Sequence, residues 1–294
     1  MSSSVTHAVL LIAACALPAV TQAGTLDRIS STGVVKIGHR ETSVPFSFLD
    51  DDKKPVGYAI DLCRSIVRSL EKVVRKPLRI EFVPVTSASR IAAVVEGRVD
   101  LECGSTTNNS ERRKQVAFTI PHYIAGARWL VRTDSGAQEV DQLKQATVAV
   151  IKGSTTVKLV RQVSEMRALD LQLKEVKDEK EAFELLEAKS VKAFSIDDVL
   201  LYSMRANAKR PDDYKVIGEF LSIEPLAIML AKGDPSFKKF VDREVSRVML
   251  DGEINDIYER WFLKPIPPRG VVLNLPMNRV MREFVRIPTD SVGD

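Results

Sequence analysis

The sequence predicts an α/β protein built on mostly parallel sheets with helices on both faces. Three observations carry this. Short apolar strands alternate with amphipathic helical segments along nearly the whole chain. Polar clusters fall where those strands end, at Arg40, Ser87, Ser105, Ser154 and Asp197, and open α/β sheets bind ligands at the carboxyl ends of their strands. The chain has 294 residues, 45% of them hydrophobic and 28% charged, enough for one large domain or two lobes with a real core.

Taken in order, Leu26–Ser31 reads as a short helix stopped by Gly33, and Val34–Ile37 as a strand. Pro45–Phe48 is extended. Tyr58–Val74 is an amphipathic helix with Ile60, Ile66, Val67 and Leu70 on one side. Leu78, Ile80 and Phe82 alternate as in a strand. Thr86-Ser87 is a candidate cap for a helix through Ile91, Val94 and Val95 that Gly97 ends. A second series follows: strands at Arg128–Val131 and Ala146–Ile151, alternation at Leu169, Leu171 and Leu173, a helix over Lys180–Ala188, and strands at Ala193–Ile196 and Pro225–Leu230. Phe237 to Val248 marks a long late helix, and Trp261 and Phe262 close the next one. The basic stretch Asn278–Arg286 is expected to be a solvated helix face.

Between Val99 and Arg112 a short apolar strand breaks at Gly104, offers Ser105, Thr106 and Thr107 in succession, and ends on a fixed positive charge. Small hydroxyl residues beside a glycine let backbone N–H groups approach an anion, and an arginine can clamp a carboxylate with two parallel hydrogen bonds. No nucleophile–base pair stands beside them. By itself the segment favours the plainer reading, a strand end followed by a capped helix. The net charge of +4 is small and its basic residues are scattered, which excludes a nucleic-acid surface. His7, His39 and His122 lie far apart and no C-x-x-C occurs, so neither a metal nor another cofactor is expected.

Residues 1–23 read as an export signal: an apolar run from Ala8 to Val20, then Thr21-Gln22-Ala23 in the small-x-small pattern of a cleavage site. The run is too short to span a bilayer. Ile12-Ala13-Ala14-Cys15 also resembles a lipoprotein box, which would put a lipid on Cys15; this ranks second because the apolar run continues past Cys15. Cys63 and Cys103 remain after cleavage and are expected as two buried thiols, although an exported pair could also bond.

With these residues in hand, the chain resembles the periplasmic solute-binding proteins of amino-acid ABC transporters (family 3), and among them the glutamate/aspartate-binding subfamily. The resemblance rests on Gly38–Phe46, Val56-Gly57-Tyr58, Pro84–Ser87, Arg90, Glu102–Asn109, Glu111-Arg112, Asp197-Asp198 and the run from Trp261 to Pro268. It implies a two-lobed fold of the type II periplasmic-binding class with a two-stranded hinge. Lobe 1 would take residues 24–127 and 223–294, and lobe 2 residues 128–222, with crossings near Ala127–Leu130 and Ser222–Leu226. It further implies a monomeric, non-enzymatic periplasmic protein that hands an amino acid to a membrane permease.

Family roles carried onto matching positions give Arg112, helped by Ser105 and Thr107, the ligand's α-carboxylate; otherwise Arg112 would pair with Glu111 on the surface. Gly153–Thr156, with Thr155 foremost, would approach the same carboxylate through free N–H groups at a helix start, or simply cap that helix. Asp197 would take the ammonium, with Asp198 the better helix cap. Arg40, Ser87 and Arg90 match the residues that hold a side-chain carboxylate, while His39 is expected to be structural. One position departs from the pattern: Glu179 stands where the family has a histidine that contacts the ligand's side chain. A carboxylate there repels an acidic ligand unless it is protonated or paired. Glu179 therefore turns to Lys177, Lys180 or solvent, or binds Arg40 or Arg90 itself, or the ligand is glutamine, asparagine or a modified acid. A dehydratase on the same scaffold, with a buried Glu179 as proton donor, is the rival reading, and a sensory module reporting to another protein is a second.

Overall fold

Two five-stranded sheets organise the computed structural model, which describes residues 24–291. The expected signal and the alternative lipid site at Cys15 lie outside the described residues. The first sheet has the strand order Arg79–Pro84, Val34–His39, Leu101–Glu102, Met229–Ala231, Val116–Phe118. Its first three strands run parallel, with Val34 opposite Arg79 and Ile37 opposite Leu101. Met229–Ala231 returns antiparallel from late in the chain, with Met229 facing Glu102 on one side and Phe118 on the other.

The second sheet repeats this plan with middle residues. Its order is Gln172–Val176, Thr147–Ile151, Ala193–Asp197, Ala127–Arg132, Tyr214–Ile217. The first three are again parallel and the last two antiparallel. The mixed α/β class expected from the alternation is thus the class observed. Between the sheets, Tyr123–Ala125 pairs antiparallel with Glu224–Leu226, so the outgoing and returning chain run side by side.

The helix Tyr58–Val74 buries Tyr58, Ile60, Leu62, Cys63, Ile66 and Leu70 and packs against Pro235–Leu250 and Glu253–Phe262. Tyr123, Tyr258 and Phe262 stack at the foot of the paired connection, with ring centroids 4.1 Å apart for Tyr258 and Phe262. Burying such rings removes roughly 150–250 Å² each from water, which fixes the connection's base firmly to the first sheet.

Four local expectations change. Cys63 and Cys103 are not separate thiols but a disulfide, because the helix carrying Cys63 lies over the strand end that carries Cys103 and brings the Cα atoms to 6.5 Å. The helix after Pro84 begins at Arg90, and Thr86 serves a turn instead of a cap: its Oγ1 accepts from the N–H of Ser89. Leu169 and Leu171 are buried, but Ala168 and Asp170 have φ of 50° and 53°, so the strand starts only at Gln172. The tail helix Arg279–Arg286 is not wholly solvated; Met281 and Val285 are buried. Among the described residues no helix is long and apolar enough to cross a membrane.

Candidate functional site

The loop after Leu101–Glu102 shows why this sequence makes a polar site here. Cys103 is tied to Cys63. Gly104 follows, where an added Cβ would stand 2.5 Å from Glu102 Oε1. The missing side chain lets Glu102 turn back under its own loop, fully buried, and accept from Thr106 Oγ1 at 2.6 Å. Thr106 Oγ1 in turn accepts from Arg90 Nη1 at 2.6 Å, and Arg90 also donates to the Ser105 carbonyl. Asn109 then caps the short helix Ser110–Arg113, its side chain accepting from the N–H of Arg112 at 2.9 Å. That cap turns Arg112 inward. Its guanidinium donates to the Thr107 carbonyl at 2.9 Å and across to the Gly153 carbonyl at 3.1 Å.

The second sheet supplies the opposite wall. Gly153 has φ +82°, and a Cβ on it would meet the Ser87 carbonyl at 2.7 Å and Ala88 Cα at 2.8 Å. The two halves therefore touch backbone to backbone at this point. Thr155 precedes the helix Thr156–Met166 and donates to Glu224 Oε2 on the returning connection. Asp197 ends its strand and precedes the helix Asp198–Asn207 without making a side-chain cap; Asp198 instead accepts from the Gly126 N–H. Glu179 opens the helix Glu179–Glu187, capped by Asp178.

These groups meet around a partly open crevice of about 10 Å³. From the first half it is lined by Arg40, Ser87, Arg90, Ser105 and Thr107, and from the second by Thr155, Glu179 and Asp197. Ser154, Ile196 and Leu200 complete the wall. Arg112 is not part of the lining; its guanidinium sits between the two carbonyls already named. His39 stays outside, its ring against the Arg40 carbonyl and edge-on to Phe82. Glu179 takes up one of the alternatives open to it. It is 3% exposed and accepts from Arg40 Nη2 at 3.3 Å, Thr42 Oγ1 at 2.5 Å and Ser43 Oγ at 2.6 Å.

The electrostatics follow from burial. Desolvation, aided by neighbouring Arg112, pulls Arg90 down to about 9, still cationic at neutral pH. Its buried Nε has no hydrogen-bond partner. Burial likewise lowers Arg112, opposed by Glu224, Asp197 and Glu102. Burial together with Glu224 and Asp198 raises Asp197 well above the usual carboxylate range, despite Arg90 and Arg112. Burial also pushes Glu179 upward, but the Arg40 charge and the hydroxyls of Ser43 and Thr42 outweigh it, so its net shift is downward. A carboxyl held ionised in this way is a poor proton donor.

Thr42, Ser43, Glu102 and Glu224 belong to this constellation and did not stand out in the sequence. Glu102 left one signal: an acid between Leu101 and Cys103 in an otherwise apolar strand end. Among the described residues no group of three or more His, Cys, Asp or Glu side chains could hold a metal ion. Guanidinium groups on one side and a carboxylate on the other suit the capture of a small zwitterion.

Comparison with known proteins points the same way. A family model described as bacterial extracellular solute-binding proteins, family 3, matches residues 35–264. The chain is 40% identical to an L-glutamate/L-aspartate-binding protein of Pseudomonas aeruginosa, over 92% of this chain and 90% of that one. It is 38% identical to a glutamate/aspartate import solute-binding protein of Escherichia coli, over 91% and 89%. Among solved structures, an ancestral arginine-binding protein bound to arginine superposes with a TM-score of 0.71 at 28% identity, covering 78% of this chain and 98% of that one. An ancestral amino acid-binding protein described as a precursor of cyclohexadienyl dehydratase gives 0.69 at 27%, covering 81% and 99%.

Proposed function

Since this chain belongs to the bacterial extracellular solute-binding proteins, family 3, we propose that it captures an amino acid, foremost glutamate or aspartate, between two hinged lobes and delivers it to a membrane ABC permease. The observation that carries this reading is the pair of charged walls that line the crevice between the two sheets. A buried guanidinium with an unused donor, Arg90, faces it from one half, and a buried carboxylate, Asp197, faces it from the other. A buried charge without a full set of partners is costly, and a zwitterion supplies the missing acceptor to one wall and the missing cation to the other.

In this reading lobe 1 takes residues 24–127 and 223–294 and lobe 2 residues 128–222, with Tyr123–Ala125 and Glu224–Leu226 as the hinge. The ligand first binds lobe 1. Arg112, Ser105 and Thr107 hold its α-carboxylate, Arg112 exchanging a carbonyl for it. Closure brings Thr155 and the helix start behind it to the same group, and Asp197 to the ammonium. Arg40, Ser87, Arg90 and Glu179 surround the side chain. The closed shape is what the permease reads. The protein works as a monomer in the periplasm after removal of residues 1–23, with no cofactor.

The test is calorimetry on protein unfolded and refolded free of carried-over ligand, against glutamate, aspartate, glutamine and asparagine. Saturable one-to-one binding of at least glutamate or aspartate is expected. Charge-assisted hydrogen bonds contribute about 1.5–3 kcal/mol each, so Arg112→Ala should weaken binding by at least roughly tenfold. Binding of none of the four would end this reading.

A further inference from the structure

We propose that Glu179 is a built-in counter-ion for Arg40 at the side-chain end of the cavity, so that the amides glutamine and asparagine bind within about tenfold of the corresponding acids. This rests on the amino-acid reading above and deepens it by naming the substrate class. Glu179 and Arg40 come from opposite halves and both line the crevice. They form a pair 2% and 3% exposed, and Thr42 and Ser43 add two further donors to the same carboxylate. In the shut form Arg40 is thereby matched by a protein carboxylate.

The charge balance around the cavity makes the consequence concrete. Arg40, Arg90 and Arg112 bring three guanidinium groups, matched by the carboxyl groups of Glu179, Glu102 and Glu224, while burial favours the protonated form of the fourth acid, Asp197; all seven side chains are buried. A zwitterion with an amide side chain adds no net charge to this set. One with a second carboxylate adds another negative charge where the interaction is only weakly screened. The donors still available beside the side-chain end are the Arg90 guanidinium, whose Nε lacks a partner, and the Ser87 hydroxyl. A carbonyl oxygen uses them as a carboxylate does. An amide also carries N–H donors, for which Glu179 is an acceptor, while a ligand carboxylate meets only repulsion there.

The experiment is calorimetry of the full refolded chain with glutamate, glutamine, aspartate and asparagine, for the wild type, Glu179→Gln and Glu179→Ala, with thermal melts by circular dichroism to show that each variant folds. The wild type is expected to bind each amide within about tenfold of its acid. Both variants remove the charge, so both should move the amide-to-acid ratio toward the acid by at least about tenfold. A shift in Glu179→Ala alone would mean that cavity size matters and charge does not, which overturns the proposal. A wild-type preference for the acids beyond about a hundredfold, with the ratio unmoved in Glu179→Gln, overturns it as well. Failure of the wild type to bind any of the four ligands would instead remove the underlying amino-acid reading, and this inference with it.

Discussion

In the proposed reading, Asp197 is the residue whose protonation couples most directly to ligand. Burial and the nearby Glu224 and Asp198 hold its carboxyl above the ordinary 3.8, so the folded chain keeps this proton to higher pH than the unfolded one. Stability from this group is complete at low pH and is lost as pH rises from the unfolded value through the folded one. An ammonium placed beside it reverses the balance and favours the ionised form. Two results follow. Binding should release a proton below the raised pKa, seen as a dependence of the calorimetric heat on the buffer's ionisation enthalpy. Asp197→Asn should raise the melting temperature at neutral pH by roughly 2–4 °C for each kcal/mol recovered, with the gain shrinking as pH falls toward 4, while ligand affinity collapses. A variant equally destabilised at pH 4 and pH 7 would show that Asp197 is a structural group and nothing more. Arg112 and Asp197 were legible as chemistry in the sequence, because each sits in a polar run at a strand or helix end. The partners that tune them, Glu102 and Glu224, were not, since nothing in a linear sequence says which acids will face inward.

At the scale of elements, the loop over residues 104–108 owes its position to its two ends. Asn109 caps the following helix, and the Cys63–Cys103 disulfide fastens the preceding strand end to the helix Tyr58–Val74. The bond closes a separation of 40 residues. Replacing both cysteines by serine should cost about 2–4 kcal/mol of stability, read as a lower urea midpoint. Affinity should fall too, because Ser105 and Thr107 would lose their fixed placement; unchanged affinity would mean that the Asn109 cap alone suffices. Element types were readable where periodicity was strong. The helix Tyr58–Val74 keeps the limits its apolar stripe indicates. Short apolar alternations were less secure: Leu169 and Leu171 are buried like strand residues, yet left-handed backbone at Ala168 and Asp170 makes that stretch a turn. The disulfide was open in the sequence because pairing depends on how a helix lies over a strand end.

On the scale of the whole molecule, several side chains and one glycine join the halves, Arg269 among them through the Asn207 carbonyl. Arg112 reaches the Gly153 carbonyl, Glu179 reaches Arg40, Thr42 and Ser43, and Thr155 reaches Glu224. Gly153 lets the second half come within backbone contact of Ser87 and Ala88. Gly153→Ala places a Cβ into that contact and adds a left-handed strain of roughly 1–2 kcal/mol. In the open-and-close reading, the clash exists only in the shut form. The variant should lose at least about tenfold in affinity and remain more expanded than wild type in small-angle scattering at saturating ligand. Wild-type affinity in this variant would mean that closure does not use the contact. For the unmodified chain, a ligand at a hundred times its Kd should add about 2.7 kcal/mol to stability.

The sequence by itself determined the kind of fold and, through the runs that carry the resemblance, the family. Periodicity, turn chemistry and run composition are local, and local patterns survive in one dimension. Only the tertiary structure decided how the charges pair. Glu179 and Arg40 stand 139 positions apart in the chain, and whether an inward carboxylate faces solvent, ligand or a guanidinium depends on the approach of two halves that no local pattern encodes.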